Sequence, residues 1–168
     1  PLAAAPAIGD MNADGKPEVV VGRVILNGQD GTLLGKGKFG VGRAVYGCAS
    51  FPADIDGDGL QEVVVGNALY RIDGTAIWST ADADGYPAIA DFDADGKPEI
   101  VVAANGKVRL HRGDGTIVWD VANPALVGGP PTIADYDGDG QPEVGIAGKT
   151  GYIVFDTDGA VLWTAKTQ

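Results

Sequence analysis

A short acidic pattern, D-x-[DN]-x-D-G-x-x-E, occurs four times in the chain and constrains its fold more than any other feature. Each copy runs directly into a stretch rich in β-branched residues, such as VVVG or IVVA. Self-similarity at intervals of about 40 residues is typical of repeat architectures. The sequence therefore predicts a single repeat domain over residues 1–168, with repeats of approximately 3–44, 45–82, 83–125 and 126–168.

Oxygen-bearing side chains occupy positions one, three, five and nine of each pattern. With the backbone carbonyl of position seven they can surround one hard cation, and calcium accepts about six to eight oxygens in a more tolerant geometry than magnesium. Glycine at position six permits the sharp turn that this requires, and the apolar residue at position two is expected to anchor the loop in the core. The predicted calcium ligands, with the fourth of each set binding through its backbone carbonyl, are Asp10, Asn12, Asp14, Lys16 and Glu18; Asp54, Asp56, Asp58, Leu60 and Glu62; Asp91, Asp93, Asp95, Lys97 and Glu99; and Asp135, Asp137, Asp139, Gln141 and Glu143.

The distribution of charge supports a bound cation. Most of the 23 acidic residues lie in these four loops, and the formal net charge is −11. Like charges a few ångströms apart repel one another, so a cation is expected to neutralise each loop. We therefore predict about four Ca²⁺ ions per chain, one per loop, in a structural role; the alternative is a set of solvated acidic turns. Asn12 still offers an oxygen, so the first site is expected to bind, but more weakly.

The residues after each loop exclude two other calcium-binding architectures. An EF-hand loop carries a bidentate glutamate at position twelve and leads into a helix. Here position twelve is Val21, Val65, Val102 or Ile146, inside β-branched runs that are typical of strands. The Gly-Gly-x-Gly-x-Asp period of calcium-binding β-helices is also absent.

Turn signals divide each repeat into short strands. In the third repeat, Asn105-Gly106 and Asp114-Gly115 separate alternating apolar segments, and such dipeptides are strong hairpin signals. With the strand that leads into the acidic loop, each repeat provides four antiparallel strands, which is typical of propeller blades. The sequence thus predicts an all-β fold, a β-propeller of four four-stranded antiparallel blades. These blades form either a complete small propeller or part of a larger seven- or eight-bladed ring.

Three tryptophans end successive repeats at matching places, namely Trp78, Trp119 and Trp163. We expect them to pack between neighbouring blades, because a large apolar ring stabilises such a contact. The alternative is a platform on which sugars stack, and that requires exposed rings.

The four acidic loops followed by strands resemble those of the FG-GAP/VCBS repeat family, and the resemblance covers essentially the whole chain. That family includes the calcium-binding blades of integrin α-chain propellers and of bacterial and fungal propeller lectins. Phe39-Gly40 resembles its FG element, but no Gly-Ala-Pro follows, and Gln61 departs from the proline found at Pro17, Pro98 and Pro142. The resemblance implies an extracellular or cell-surface module in which calcium is structural, and which serves adhesion or recognition of a carbohydrate or protein ligand. Such loops in extracellular modules bind calcium at about 10⁻⁴–10⁻³ M, which agrees with that location.

The sequence shows no complete catalytic arrangement, so we predict that the chain is not an enzyme. The only histidine, His111, is expected to be a solvated strand residue beside Arg109 and Arg112. Neither serine lies in a nucleophile elbow, and Cys48 is expected to be a small buried apolar residue. The alternatives are a structural or assembly repeat of a larger secreted protein, or a non-catalytic propeller attached to a polysaccharide-active enzyme.

Charge and hydropathy restrict the possible partners. The strongly negative net charge excludes nucleic acid, and no apolar run is long enough to span a membrane. The first residues lack a basic region and a long apolar stretch, so we expect no signal peptide in this sequence. Terminal blades of such an array would have open edges, which predicts either a homo-oligomer or neighbouring repeats that complete the ring.

Overall fold

The computed structural model describes residues 4–44, 47–124 and 128–167, and these contain strands but no helix. The strands are, in chain order, β1 (Ala4–Ala5), β2 (Ala7–Gly9), β3 (Glu18–Val21), β4 (Val24–Asn27), β5 (Leu33–Lys36), β6 (Arg43–Ala44), β7 (Gly47–Ala49), β8 (Phe51–Ala53), β9 (Glu62–Val64), β10 (Ala68–Tyr70), β11 (Ala76–Ser79), β12 (Tyr86–Ala90), β13 (Glu99–Ala104), β14 (Lys107–His111), β15 (Ile117–Ala122), β16 (Thr132–Ala134), β17 (Glu143–Ala147), β18 (Tyr152–Phe155) and β19 (Val161–Ala165). Within these ranges no helix is available to cross a membrane.

Four antiparallel sheets of four strands each follow one another along the chain. We call them blades 1 to 4: they consist of β2–β5, β8–β11, β12–β15 and β16–β19, and in each sheet neighbouring strands are consecutive in sequence. This confirms the predicted all-β, propeller-like arrangement of four-stranded blades. The repeat boundaries stay a prediction.

A fifth, smaller sheet was not predicted. It has the order β1-β7-β6, and β1 pairs with β7 in parallel. Strands β6 and β7 arise from the glycine-rich segment between blades 1 and 2, which has no apolar alternation that would indicate strands.

The hairpin signals have the predicted effect. Asn105 and Gly106 adopt φ values of 48° and 72° and connect β13 to β14, where Ala104 pairs with Lys107. Positive φ at both central residues is what a two-residue hairpin with the correct twist requires.

The hydrophobic core lies between the blades. Each of its three clusters combines residues of two neighbouring sheets, so that blades 2 and 3 are covered on both faces. In β13, for example, Val101 packs toward blade 4 and Val102 toward blade 2, and all six residues of this strand are buried. Strands that are buried on both faces read as continuous apolar runs rather than as alternating patterns.

The environment of His111 corrects the expectation of a solvated residue. His111 is 1% exposed, because its side chain lies on the face of blade 3 that packs against blade 2, where its ring stacks on Trp78 at 5.5 Å. Arg109 on the same strand is also buried and donates to the carbonyl of Ala83 at 2.7 Å. Cys48, expected to be buried, is only partly so.

Candidate metal centres in the four acidic loops

Each acidic loop connects the first two strands of a blade and is anchored by its second residue. The side chains of Met11, Ile55 and Phe92 are at most 6% exposed in the core, and Tyr136 is half-buried in blade 4. Burial of these side chains fixes the start of each loop, while the neighbouring acidic side chains at the following positions are exposed.

The aspartate at position one binds backbone N–H groups across its own loop. In the second loop, Asp54 accepts from Gly57 at 2.8 Å and from Gly59 at 2.9 Å. Asp135 accepts from the matching glycines of the fourth loop at 2.6 and 3.0 Å. These bonds curl the loop around the carboxylate, so contacts within the loop contribute to its shape together with the buried second residue.

Positions three and five continue the same arrangement in all four loops. The side-chain oxygen at position three accepts from the N–H of position five, and position five accepts from the N–H of position seven. For example, Asp139 accepts from Gln141 at 2.8 Å. Asn12 makes the same bond to Asp14 at 3.1 Å, so the asparagine preserves the geometry of the first loop. That the backbone carbonyls of position seven bind the ion stays a prediction.

The glutamate at position nine connects the end of each loop to its beginning. Its Oε2 atom accepts a hydrogen bond from the backbone N–H of position two, at distances between 2.6 and 2.9 Å. One carboxylate oxygen of this glutamate is thus used internally, and in Glu143 the other, Oε1, is buried without a hydrogen-bond partner among the described residues. This bond was not anticipated from the sequence, although every glutamate of the chain occupies this position.

Backbone conformation adds a requirement at position four. Gly57 and Gly138 have φ values of 79° and 85°, and Ala13 and Ala94 have φ values of 57° and 58°. The left-handed region is costly for residues with a Cβ atom, which explains the glycine at two of these positions, whereas Ala13 and Ala94 bear that cost. The restriction to these two small residues was a signal in the sequence that the prediction missed.

The loops bring carboxylate oxygens close enough to share one cation. Three groups have ligand atoms that all lie within 4.8 Å of one another: Asp54, Asp56 and Asp58; Asp91, Asp93 and Glu99; and Asp135, Asp137, Asp139 and Glu143. The first loop, with Asn12 in place of an aspartate, is not among these groups of the described residues.

Two buried oxygens in these groups lack a hydrogen-bond partner among the described residues, namely Asp91 Oδ1 and Glu143 Oε1. A buried acceptor without a partner costs about 1–3 kcal/mol, and a cation bound between the carboxylates would satisfy it. Burial also raises the pKa of Glu62, Glu99 and Glu143 above its ordinary value, and the nearby aspartates raise it further. The residues present therefore fit a hard divalent cation.

Comparison with known sequence families matches the segments that contain the four acidic loops. A sequence model described as FG-GAP-like repeat matches residues 10–65 and 91–146, which make up about two thirds of the chain. The chain belongs to the FG-GAP-like repeat family. Each matched segment of this FG-GAP-like chain starts at the first aspartate of one acidic loop and extends through the next loop into the strand that follows. The predicted resemblance is thereby confirmed. No curated protein sequence matches the chain.

Solved structures share the fold at low sequence identity. The Vibrio cholerae biofilm matrix protein Bap1 has a TM-score of 0.72 and 24% identity, and the match covers 97% of this chain and 28% of Bap1. Rhamnogalacturonan lyase PL11 of Bacillus licheniformis has a TM-score of 0.61 and 18% identity, with 96% and 42% covered. BBS1N, in complex with ARL6DN and soaked with lead, has a TM-score of 0.64 and 10% identity, with 97% and 56% covered. The chain thus spans between about a quarter and just over half of these proteins, and the likeness shows the fold alone.

Proposed function

We propose that the chain is a non-catalytic recognition module that acts outside the cell and is made rigid by calcium. The observation that carries this proposal is the loop geometry, in which three loops group their carboxylates and buried oxygens of Asp91 and Glu143 have no partner among the described residues. Calcium is the favoured ion because its ligands are carboxylate and carbonyl oxygens in a flexible geometry. We expect about four ions per chain.

In this proposal the ions act as cross-links. The chain has a single cysteine, so it cannot form an internal disulfide. An ion that binds only the folded state adds about 2.7 kcal/mol of stability when its free concentration is 100-fold above Kd. Loops with dissociation constants of about 10⁻⁴–10⁻³ M are filled by extracellular calcium rather than by cytosolic calcium, which supports a location outside the cell.

A matched pair of variants tests the metal sites. Asp137→Asn removes one charge from the fourth loop but keeps an oxygen that can accept from Asp139, and Asp158→Asn makes the same change outside the acidic loops. Calorimetry should find about one ion fewer, or one much weaker site, for Asp137→Asn only. A wild-type chain that binds no calcium at millimolar concentrations would refute the proposed function.

The ligand class rests on the family and on the fold. A likeness to a biofilm matrix protein and to a rhamnogalacturonan lyase supports recognition of a carbohydrate or protein ligand. A glycan array and a set of matrix proteins, probed in millimolar calcium and again in chelator, should give binding in calcium only. Binding that is equal in chelator would show that the ion has no part in recognition.

A second candidate function is an assembly repeat within a larger extracellular structure. It is favoured by the outermost surfaces of blades 1 and 4, where Ile8 is 68% exposed and Trp163 is 39% exposed. A non-catalytic propeller attached to a polysaccharide-active enzyme stays a further alternative. Incubation with rhamnogalacturonan and related polymers, followed by detection of unsaturated products, should give no turnover if the chain is non-catalytic.

A further inference from the structure

The same type of contact recurs between neighbouring blades. Trp78 of blade 2 donates from its indole Nε1 to the carbonyl of Gly113 in blade 3 at 2.9 Å, and Trp119 of blade 3 donates to Thr157 of blade 4 at 2.8 Å. Both carbonyls directly precede the Asp-Gly turn between the last two strands of the next blade. This confirms packing between blades for these two tryptophans.

The tryptophan lies directly over the glycine of that turn. A Cβ atom at Gly115 would lie 2.8 Å from the ring of Trp78, and one at Gly159 would lie 3.0 Å from the ring of Trp119. Between blades 1 and 2, Gly35 occupies the position of the tryptophan. The outer turn of blade 2 approaches it so closely that a Cβ atom at Gly35 would collide with the backbone of Ile72. Every internal interface therefore joins an outer strand to the next outer turn.

Trp163 holds the same position in blade 4. It pairs with Val154, as Trp78 pairs with Leu69 in blade 2 and Trp119 with Leu110 in blade 3. Whereas Trp119 is 9% exposed, Trp163 is 39% exposed, and no described residue accepts a hydrogen bond from its indole N–H. Among the described residues, therefore, no turn covers the ring of Trp163 in the way that turns cover the rings of Trp78 and Trp119.

The rest of this surface is aromatic and preorganised. The ring of Trp163 lies 6.0 Å from that of Tyr136 and 5.8 Å from that of Tyr152. The two tyrosine hydroxyls are 2.7 Å apart, and both also contact the hydroxyl of Thr132. We call the surface formed by Tyr136, Tyr152 and Trp163 the back face of the chain.

Blade 1 offers the complementary half. At the Asp30-Gly31 turn, nothing lies within 4 Å of a Cβ added to Gly31, whereas Gly115 and Gly159 are covered by tryptophans. Ile8 on the first strand is 68% exposed, while Ile133, its counterpart in blade 4, packs against the core shared with blade 3. We call the surface formed by Ile8 and the Asp30-Gly31 turn the front face.

We propose that the back face of one chain docks on the front face of a second copy, with Trp163 over Gly31. The contact continues the interfaces already present between the blades: Trp163 has the strand register of Trp78 and Trp119, and Asp30-Gly31 lies between the last two strands of its blade, as the covered Asp-Gly turns do. The turn of blade 1 is one residue longer, with four residues between Asn27 and Thr32 against three between Arg112 and Thr116. The indole N–H of Trp163 would donate to the carbonyl of Gln29, which precedes the turn as Gly113 and Thr157 do. Two such contacts close two copies into one ring of eight blades, within the size range of propellers and with no open face.

Sedimentation in saturating calcium tests the contact directly. The wild-type chain should sediment with twice the mass of one chain, and Trp163→Ala should weaken association by about tenfold or more, as expected for a buried aromatic anchor. Ile117→Ala is the matched control, since Ile117 is a similarly exposed apolar residue on the outer strand of blade 3. A wild-type chain that stays monomeric at all concentrations overturns the proposal.

A complementation experiment distinguishes this head-to-tail contact from a symmetric one. Gly31→Asn blocks the front face, and asparagine tolerates the φ of 73° at this position. Each variant alone should associate weakly, but a mixture of Trp163→Ala with Gly31→Asn should recover association, because it contains one intact contact. A mixture no stronger than its components overturns the proposal. Circular dichroism of each variant in calcium confirms folding, so that loss of docking is separated from failure of the calcium sites.

Discussion

The Oε2 atom of Glu143 accepts a 2.6 Å hydrogen bond from the backbone N–H of Tyr136, seven residues earlier in the chain. The same bond joins Glu18, Glu62 and Glu99 to the second residue of their loops. A buried carboxylate thus connects the start of the second strand of each blade to the start of its acidic loop. One side chain therefore joins the proposed ion site to the blade.

Replacement of this side chain should affect both stability and ion binding. Glu143→Gln keeps an oxygen for the Tyr136 N–H but removes the charge that faces the ion. We expect weaker calcium binding in the fourth loop and a loss of about 1–3 kcal/mol of unfolding free energy in calcium. Chemical denaturation with and without calcium measures this loss of unfolding free energy. Equal stability changes in the two conditions would contradict a role in binding the ion.

The left-handed residue at position four gives a second prediction. Gly57→Ala should cost about 1–2 kcal/mol, because alanine must adopt the φ of 79°. The added methyl group meets only ordinary contacts, the nearest being Lys97 Cε at 3.7 Å. Gly129→Ala is the control, since φ there is not positive and the nearest atom is 4.0 Å away. Thermal or chemical unfolding should separate the two variants, and equal effects would reject backbone conformation as the cause.

The buried imidazole should make stability depend on pH. Burial lowers the pKa of His111 below its ordinary value of 6.5, and the nearby Arg109 lowers it further. As the pH falls below about 6.5, the unfolded chain takes up a proton that the folded chain does not, so stability falls toward acid. In saturating calcium, His111→Phe should remove this slope while keeping an aromatic ring against Trp78. Urea unfolding at pH values between 6.5 and the lower pKa of His111 in the folded chain measures this slope. An unchanged slope in the His111→Phe variant would contradict its assignment to His111.

The loop glutamates predict the opposite dependence when calcium is absent. Burial raises the pKa of Glu62, Glu99 and Glu143, so the folded chain holds protons more tightly than the unfolded chain. In chelator, their contribution to stability is therefore present in acid and lost as the pH rises through the raised pKa values. Calcium should abolish this loss, because it compensates the ionised carboxylates. Thermal melts across pH with and without chelator test the sign.

Local patterns in the sequence predicted those features that depend on a few consecutive residues. The acidic loops curl because Asp54 and its counterparts accept hydrogen bonds from backbone N–H groups of their own loops, and Asn105-Gly106 forms its hairpin as expected. Such features are determined by spacing within one repeat.

Features that depend on contact between repeats were harder to predict. His111 was expected to be a solvated strand residue, but both faces of blade 3 are covered by neighbouring blades. The exposure of Trp163 could not be derived from its match to Trp78 and Trp119, since it depends on whether a further outer turn covers the ring. The small sheet of β1, β6 and β7 brings together distant segments that share no repeat pattern.

The most direct test of the calcium claim is an equilibrium titration of the metal-free chain with calcium, followed by calorimetry and by thermal unfolding of the same samples. We predict binding of about four ions per chain at up to millimolar calcium, a large increase in melting temperature, and complete reversal by EDTA. A chain that folds and melts identically in calcium and in EDTA, with no heat of binding, would contradict the account and leave the acidic loops as solvated turns.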